Sequence, residues 1–139
     1  MPAARILIVE DERQTVDTLR DLFEHHGYET EVALNKHVAL TILQERKMDI
    51  AIISTTVQEV SGIEILHDAR KTSPNLPVIM ISNQKSKRLE SSSVKAGANV
   101  FILKPLDNAF ILQTIENILK TRLAASLPKK PKASPKSKK

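Results

Sequence analysis

The sequence predicts an α/β protein, a doubly wound five-stranded parallel sheet with flanking helices. Three observations predict it. Short runs of Ile, Leu, Val, Met and Ala, apolar at every position, recur at 6–9, 50–53 and 78–81. A strand that is apolar without alternation is buried on both faces, as parallel strands are. Stretches of helical periodicity separate these runs, so strands and helices alternate along the chain. Finally, four of the five strand ends carry polar groups, at Glu10-Asp11, Ser54, Ser82 and Lys104. In open parallel sheets the site lies outside the carboxyl ends of the strands.

The elements follow in order. Arg5-Ile6-Leu7-Ile8-Val9 is a first strand, ending in Glu10-Asp11-Glu12. A helix follows with Val16, Leu19 and Phe23 on one face and Leu22 beside it. Gly27 ends that helix as a left-handed residue, and Tyr28 to Val32 give a second strand nearer the edge. Residues 36–46 form a helix turning Ala39, Ile42 and Leu43 inward. Ile50 to Ile53 are the most apolar strand, and it stops at Ser54. Thr55 to Val60 read as loop. Ser61 caps the helix that begins Gly62-Ile63-Glu64, with Ile65, Leu66 and Ala69 inward and Glu64 solvated.

After the loop Ser73-Pro74-Asn75-Leu76-Pro77, Val78 to Ile81 form a fourth strand, ending at Ser82-Asn83. Residues 86–96 make a weak helix: Ser91-Ser92-Ser93 have poor propensity, and Leu89 and Val94 are its large apolar residues. Gly97 ends it. Asn99 to Leu103 give the fifth strand, closed by Lys104-Pro105. Asp107 caps a last helix with Ile111, Ile115 and Ile118 inward and Leu119 beside them.

Composition bounds the function. The 139 residues suffice for one domain with a real core. Cysteine is absent, which excludes disulfides and thiolate metal sites. No apolar run reaches the roughly 18 residues of a membrane span, and the N-terminal run is too short for a signal peptide. A cytoplasmic location is expected. The net charge of +5 is unevenly placed, because six of the 21 lysines and arginines fall in residues 126–139. The rest of the chain holds 15 bases against 16 acids and is nearly neutral. Residues 126–139 therefore read as a disordered Lys/Pro/Ser tail that can meet polyanions only through charge. A solubilising tail or a linker to further sequence has the same composition.

The strand ends suggest chemistry. Two adjacent carboxylates, Glu10 and Asp11, can hold a hard cation such as magnesium. A lysine and a hydroxyl opposite them, Lys104 and Ser82, suit a phosphoryl group. Polar residues also collect at strand ends simply because those ends are exposed.

The residues ILIVEDE at 6–12, the strand, loop and glycine of 49–66, PVIMIS at 77–82 and GANVFILKP at 97–105 together resemble a response-regulator receiver domain of two-component signalling. The resemblance spans residues 5–122. It implies the CheY-like, flavodoxin-like sheet order 2-1-3-4-5 with five flanking helices. It implies Glu10 and Asp11 as the magnesium acids, Ser82 as the switch hydroxyl, Phe101 as the switch aromatic and Lys104 as the phosphoryl-binding lysine. It also implies a cis Lys104–Pro105 bond.

The departures from the family pattern carry equal weight. Ser54 stands where the family has its phosphoryl-accepting aspartate, and no other acid lies between Asp49 and Glu59. Gln58 replaces a common proline, and Asn83 replaces the usual small residue after the switch hydroxyl, where it is expected to crowd the pocket. A serine hydroxyl is protonated at neutral pH, and its phosphate ester lacks the lability of an acyl phosphate. Magnesium binding is then expected to be weak, with Lys104 paired to Glu10 and Asp11.

The expected function is therefore a non-enzymatic pseudo-receiver that works by protein–protein contact. The expected partner surface is the face of the fourth helix, fifth strand and fifth helix, through Phe110, Lys85, Lys87 and Arg88. An aromatic beside a basic cluster can anchor a partner, although Phe110 could also fold back on its own helix. Two alternatives come from other classes: an active phosphotransfer receiver, and nucleic-acid or anionic-surface binding by the tail.

Overall fold

The computed structural model describes residues 3–126, with side chains to residue 121. The lysine tail at 126–139, predicted disordered and polyanion-binding, lies outside the described residues except for the backbone of Ser126. Strand β1 is Arg5–Val9, followed by helix α1 (Arg13–His25), β2 (Glu29–Ala33) and α2 (Lys36–Glu45). Then come β3 (Ile50–Ser54), the short strands β4 (Thr56–Val57) and β5 (Val60–Ser61), and α3 (Gly62–Thr72). The chain continues through β6 (Val78–Ser82), α4 (Lys87–Lys95), β7 (Val100–Leu103) and α5 (Asn108–Ser126).

Five strands pair in parallel in the order β2-β1-β3-β6-β7, the predicted 2-1-3-4-5 order once the short β4–β5 pair is set aside. Period-two alternation divides the apolar runs between two layers. Leu7, Val9, Ala51, Ile53, Val78 and Met80 face one side with Leu43 of α2 and Ile65, Leu66 and Ala69 of α3. Ile6, Ile8, Ile50, Ile52, Ile79 and Ile81 face the other, against Leu19 and Phe23 of α1 and Ile111 and Ile115 of α5. Every residue of β3 and β6 is buried, which is why neither strand alternates in sequence. Among the described residues no helix is long and apolar enough to cross a membrane.

Local signals set the element ends. Asn35, Ser61 and Ser86 each accept a backbone N–H as helix N-caps, and Asp107 accepts that of Phe110. Gly27 and Gly97 have φ of 88° and 113°, the left-handed region that ends a helix.

Several expectations need correcting. The second strand is Glu29–Ala33 rather than 28–32, and Tyr28 instead packs edge-on against Phe23. The stretch 55–60 is not plain loop: β4 and β5 form a two-residue hairpin turning at Gln58 and Glu59. Both turn residues have positive φ, 51° and 65°, the mark of a type I′ turn. Neither is glycine or asparagine, so the turn carries roughly 1–2 kcal/mol of strain per residue. In α4 the apolar pattern misleads: Val94 is 53 % exposed and Ser93 is the buried residue. Ser93 satisfies its hydroxyl by donating to the Leu89 carbonyl at 2.8 Å.

Candidate functional site

The site is assembled by strand register. Val9 lies opposite Ile53, so Glu10 and Ser54, each one residue further on, emerge side by side. Ser54 lies opposite Ile81, and Ser82 opposite Leu103, which brings Ser82 and Lys104 to the same edge. The Lys104 N–H donates to the Ser82 carbonyl at 2.8 Å, closing that register. The Lys104–Pro105 peptide is cis.

Glu10, Ser54, Thr55 and Ser82 are all buried at this edge. Asp11, Asn83 and Gln84 are exposed, so Asn83 turns to solvent and does not crowd the pocket as expected. Phe101 is partly buried and packs against the core layer formed with α2 and α3.

Lys104 bridges two carboxylates, but not the expected pair. Its Nζ is 2.8 Å from Glu10 Oε1 and 2.9 Å from Glu12 Oε1. Glu12 is the residue before α1, close enough to turn back to Lys104, and it also accepts from the Thr15 hydroxyl at 2.6 Å. Asp11 points elsewhere: its Oδ2 accepts the Gln58 backbone N–H at 2.9 Å and the Gln58 side-chain amide at 3.2 Å. Burial opposes the charge on Lys104, yet its bonds to Glu10 and Glu12 outweigh this and raise its pKa. The Thr15 hydroxyl, then Lys104, hold the Glu12 carboxyl below its ordinary value.

The second oxygen of Glu10 is also occupied. Glu10 Oε2 accepts the backbone N–H groups of Asp11 and Glu12 at 3.0 and 3.1 Å. Three of the four oxygens of the Glu10–Asp11 pair thus accept hydrogen bonds from the chain itself. Among the described residues no group of three or more His, Cys, Asp or Glu is arranged to hold a metal ion.

The hydroxyls form their own network. Thr55 Oγ1 donates to Ser82 Oγ at 2.9 Å. Ser82 Oγ in turn accepts the Gln84 N–H at 3.0 Å and lies 3.3 Å from the Gln84 carbonyl. Ser54, the residue before Thr55, is buried, and its carbonyl lies against Gly62.

This fold is shared with known proteins. A match to the response regulator receiver domain covers residues 6–116. The chain belongs to that family. Chemotaxis protein CheY of Thermotoga maritima is 30 % identical over 117 residues, covering 84 % of this chain and 98 % of its own length. The transcriptional regulatory protein ZraR of Salmonella typhimurium is 28 % identical over 114 residues, or 82 % of this chain. The receiver covers only 26 % of that larger regulator. Among solved structures, a CheY-like receiver domain from Methanospirillum hungatei superposes with a TM-score of 0.85 at 27 % identity. That match covers 89 % of this chain and 99 % of the other.

Of the residues singled out in sequence, the receiver fold brings Glu10, Ser54, Ser82 and Lys104 to one edge. Lys85, Lys87 and Arg88 are exposed at the start of α4, and Phe110 is 50 % exposed in the first turn of α5. Three participants were missed: Glu12, Thr55 and Gln58. Glu12 could have been found as the third acid of the run. Gln58 was marked only as a departure from a common proline and Thr55 not at all, because their partners lie 47 and 27 residues away.

Proposed function

We propose that this receiver domain is a pseudo-receiver of two-component signalling, acting through protein contacts that do not depend on aspartyl phosphorylation. One observation carries the proposal: the buried residue at the carboxyl end of the central strand, level with Glu10, is Ser54 and not an acid. Transfer from a phosphodonor to a receiver needs a carboxylate nucleophile held near a metal. No carboxylate follows Ser54 until Glu59, in the hairpin turn.

The resting state of the pocket agrees with this role. The switch hydroxyl of Ser82 is held by Thr55, and Lys104 by Glu10 and Glu12. A working switch biases a two-state equilibrium through the phosphoryl group. Without that bias, binding uses the population already present. The proposed surface is the edge formed by α4, β7 and α5, with Phe110 as an apolar anchor and Lys85, Lys87 and Arg88 as its charged rim. The module is not itself an enzyme, and it works in the cytoplasm, where two-component partners reside.

The test is incubation of the full chain with a small acyl phosphate and magnesium, followed by intact mass and peptide mapping. The expected result is no adduct. A hydroxylamine-sensitive adduct of one phosphate would establish an active phosphotransfer receiver instead. A hydroxylamine-resistant phosphate mapped to Ser54 would establish slow ester chemistry there.

A further inference from the structure

We infer that Gln58 and Lys104 together take the place of a divalent cation, so that the acid pocket of this receiver is filled by donors of its own chain. The inference rests on the proposed pseudo-receiver state but concerns a separate property, metal occupancy, and Gln58 is the residue that decides it.

The argument starts from the oxygens. Magnesium takes near-octahedral oxygen ligands at close range and tolerates little distortion. Each ligand oxygen must offer a lone pair toward the ion. Glu10 Oε1 is turned to the Lys104 ammonium, and Glu10 Oε2 to two backbone N–H groups. Asp11 Oδ2 receives two N–H bonds from the single residue Gln58. A cation entering here would meet the positive charge of Lys104, and to use Asp11 Oδ2 it would have to displace both donors of Gln58, which leaves Asp11 Oδ1 alone to face it.

The hairpin makes the Gln58 contact specific. The backbone N–H reaches Asp11 in a turn where Gln58 and Glu59 have φ of 51° and 65°. That geometry places amide and backbone of the same residue on one carboxylate oxygen. A proline at position 58 has no N–H to donate, and its ring fixes φ near −65°. It therefore cannot make either bond and cannot hold this turn. The glutamine is compatible with a turn that covers Asp11, and proline is not.

Restoring the missing acid alone is then insufficient. Ser54→Asp adds a carboxylate, but Asp11 stays bound to Gln58. Ser54→Asp with Gln58→Pro adds the acid and releases Asp11.

The experiment is calorimetric titration of the full chain with magnesium chloride at neutral pH, with circular dichroism of each variant. Amide NMR of residue 58 in the wild type and Ser54→Asp follows its bond to Asp11, and an unbonded amide in the wild type overturns the inference. The wild type and Ser54→Asp are expected to show no saturation below millimolar magnesium. The double variant is expected to bind at least tenfold more tightly than Ser54→Asp. If the double variant is unfolded, Ser54→Asp with Gln58→Ala replaces it. That pair loses the side-chain bond but keeps the backbone one, and at least threefold tighter binding than Ser54→Asp is expected. Equal affinity of Ser54→Asp and its position-58 partner overturns the inference, as does submillimolar binding by the wild type. These results are independent of the acyl-phosphate assay, so failure of either conclusion is visible separately.

Discussion

Gly62 lies directly against the backbone of Ser54. A Cβ placed on Gly62 would sit 2.0 Å from the Ser54 carbonyl oxygen and 2.9 Å from Thr55 Cα. The Gly62 N–H also donates to the Thr55 carbonyl at 2.8 Å. The start of α3 is thereby fastened to the end of β3, and the pocket edge is fixed from below. No flexible side chain is available to yield, because the clashing atoms are backbone. Gly62→Ala is expected to cost about 1–3 kcal/mol or more, as overpacking does. Denaturant unfolding of the variant measures this, and wild-type stability would mean that β3 and α3 can separate freely.

Lys104 is expected to matter over a defined pH range. Its folded pKa is raised, so the stability it contributes is complete below the ordinary lysine value of about 10.4. That contribution is lost as pH rises through the higher folded value. Glu12 behaves in the opposite sense: its folded pKa is lowered, so its contribution is complete above about 4.3. It is lost as pH falls through the folded value. Lys104→Met leaves the buried Glu10 carboxylate without its cation. It is expected to cost about 3 kcal/mol near neutral pH, the usual scale for breaking a buried pair. The difference from wild type should be flat from about pH 5 to 10 and shrink outside that range. A difference that peaks in acid would contradict the pairing.

Arg70 is a second fixed point, at the opposite edge of the sheet. Its guanidinium donates to the carbonyls of Ser73, Leu76 and Gly97, tying the α3–β6 loop to the turn after α4. Burial lowers its pKa, and no carboxylate pairs with it among the described residues. Arg70→Met keeps the aliphatic stem but abandons three acceptors. A loss of about 1.5–3 kcal/mol is expected, from the scale of one charged hydrogen bond. Arg70→Lys should recover only part of it, because a point charge cannot span three carbonyls. Full recovery by lysine would show that charge alone is needed.

Phe110 separates binding from folding. Half of it is exposed, so Phe110→Ala should change fold stability by roughly 1 kcal/mol or less. An aromatic anchor typically contributes at least about 2 kcal/mol to binding, or roughly thirtyfold in affinity. Affinity for a partner recovered by pull-down is therefore expected to fall about thirtyfold in Phe110→Ala and to hold in Ser54→Ala. The opposite pattern would place control in the pocket rather than on the α4–β7–α5 edge.

The sequence determined the sheet and the location of the site. Runs such as Ile50 to Ile53 are apolar at every position, and only a strand covered on both faces can bury them all. Strict alternation with helical stretches argued for a doubly wound parallel sheet, with Glu10, Ser54, Ser82 and Lys104 at its carboxyl edge; the strand order itself came from the resemblance to receiver domains. Two helix starts were legible because Ser61 and Asp107 act on N–H groups two or three residues away, and Asn35 and Ser86 cap two more in the same local way. What escaped was long-range. Whether Lys104 pairs with Asp11 or Glu12 depends on which carboxylate turns back over the lysine, and adjacent acids look alike in sequence. That Gln58 holds Asp11 depends on a hairpin whose turn residues, glutamine and glutamate, carry no turn signal. That Ser93 rather than Val94 is buried in α4 depends on how the helix rotates against the edge of the sheet. Hydrophobic periodicity fixes which elements form, because it is a local property of burial. Tertiary structure alone decides which polar atom meets which, because those partners are tens of residues apart and several arrangements satisfy the same pattern.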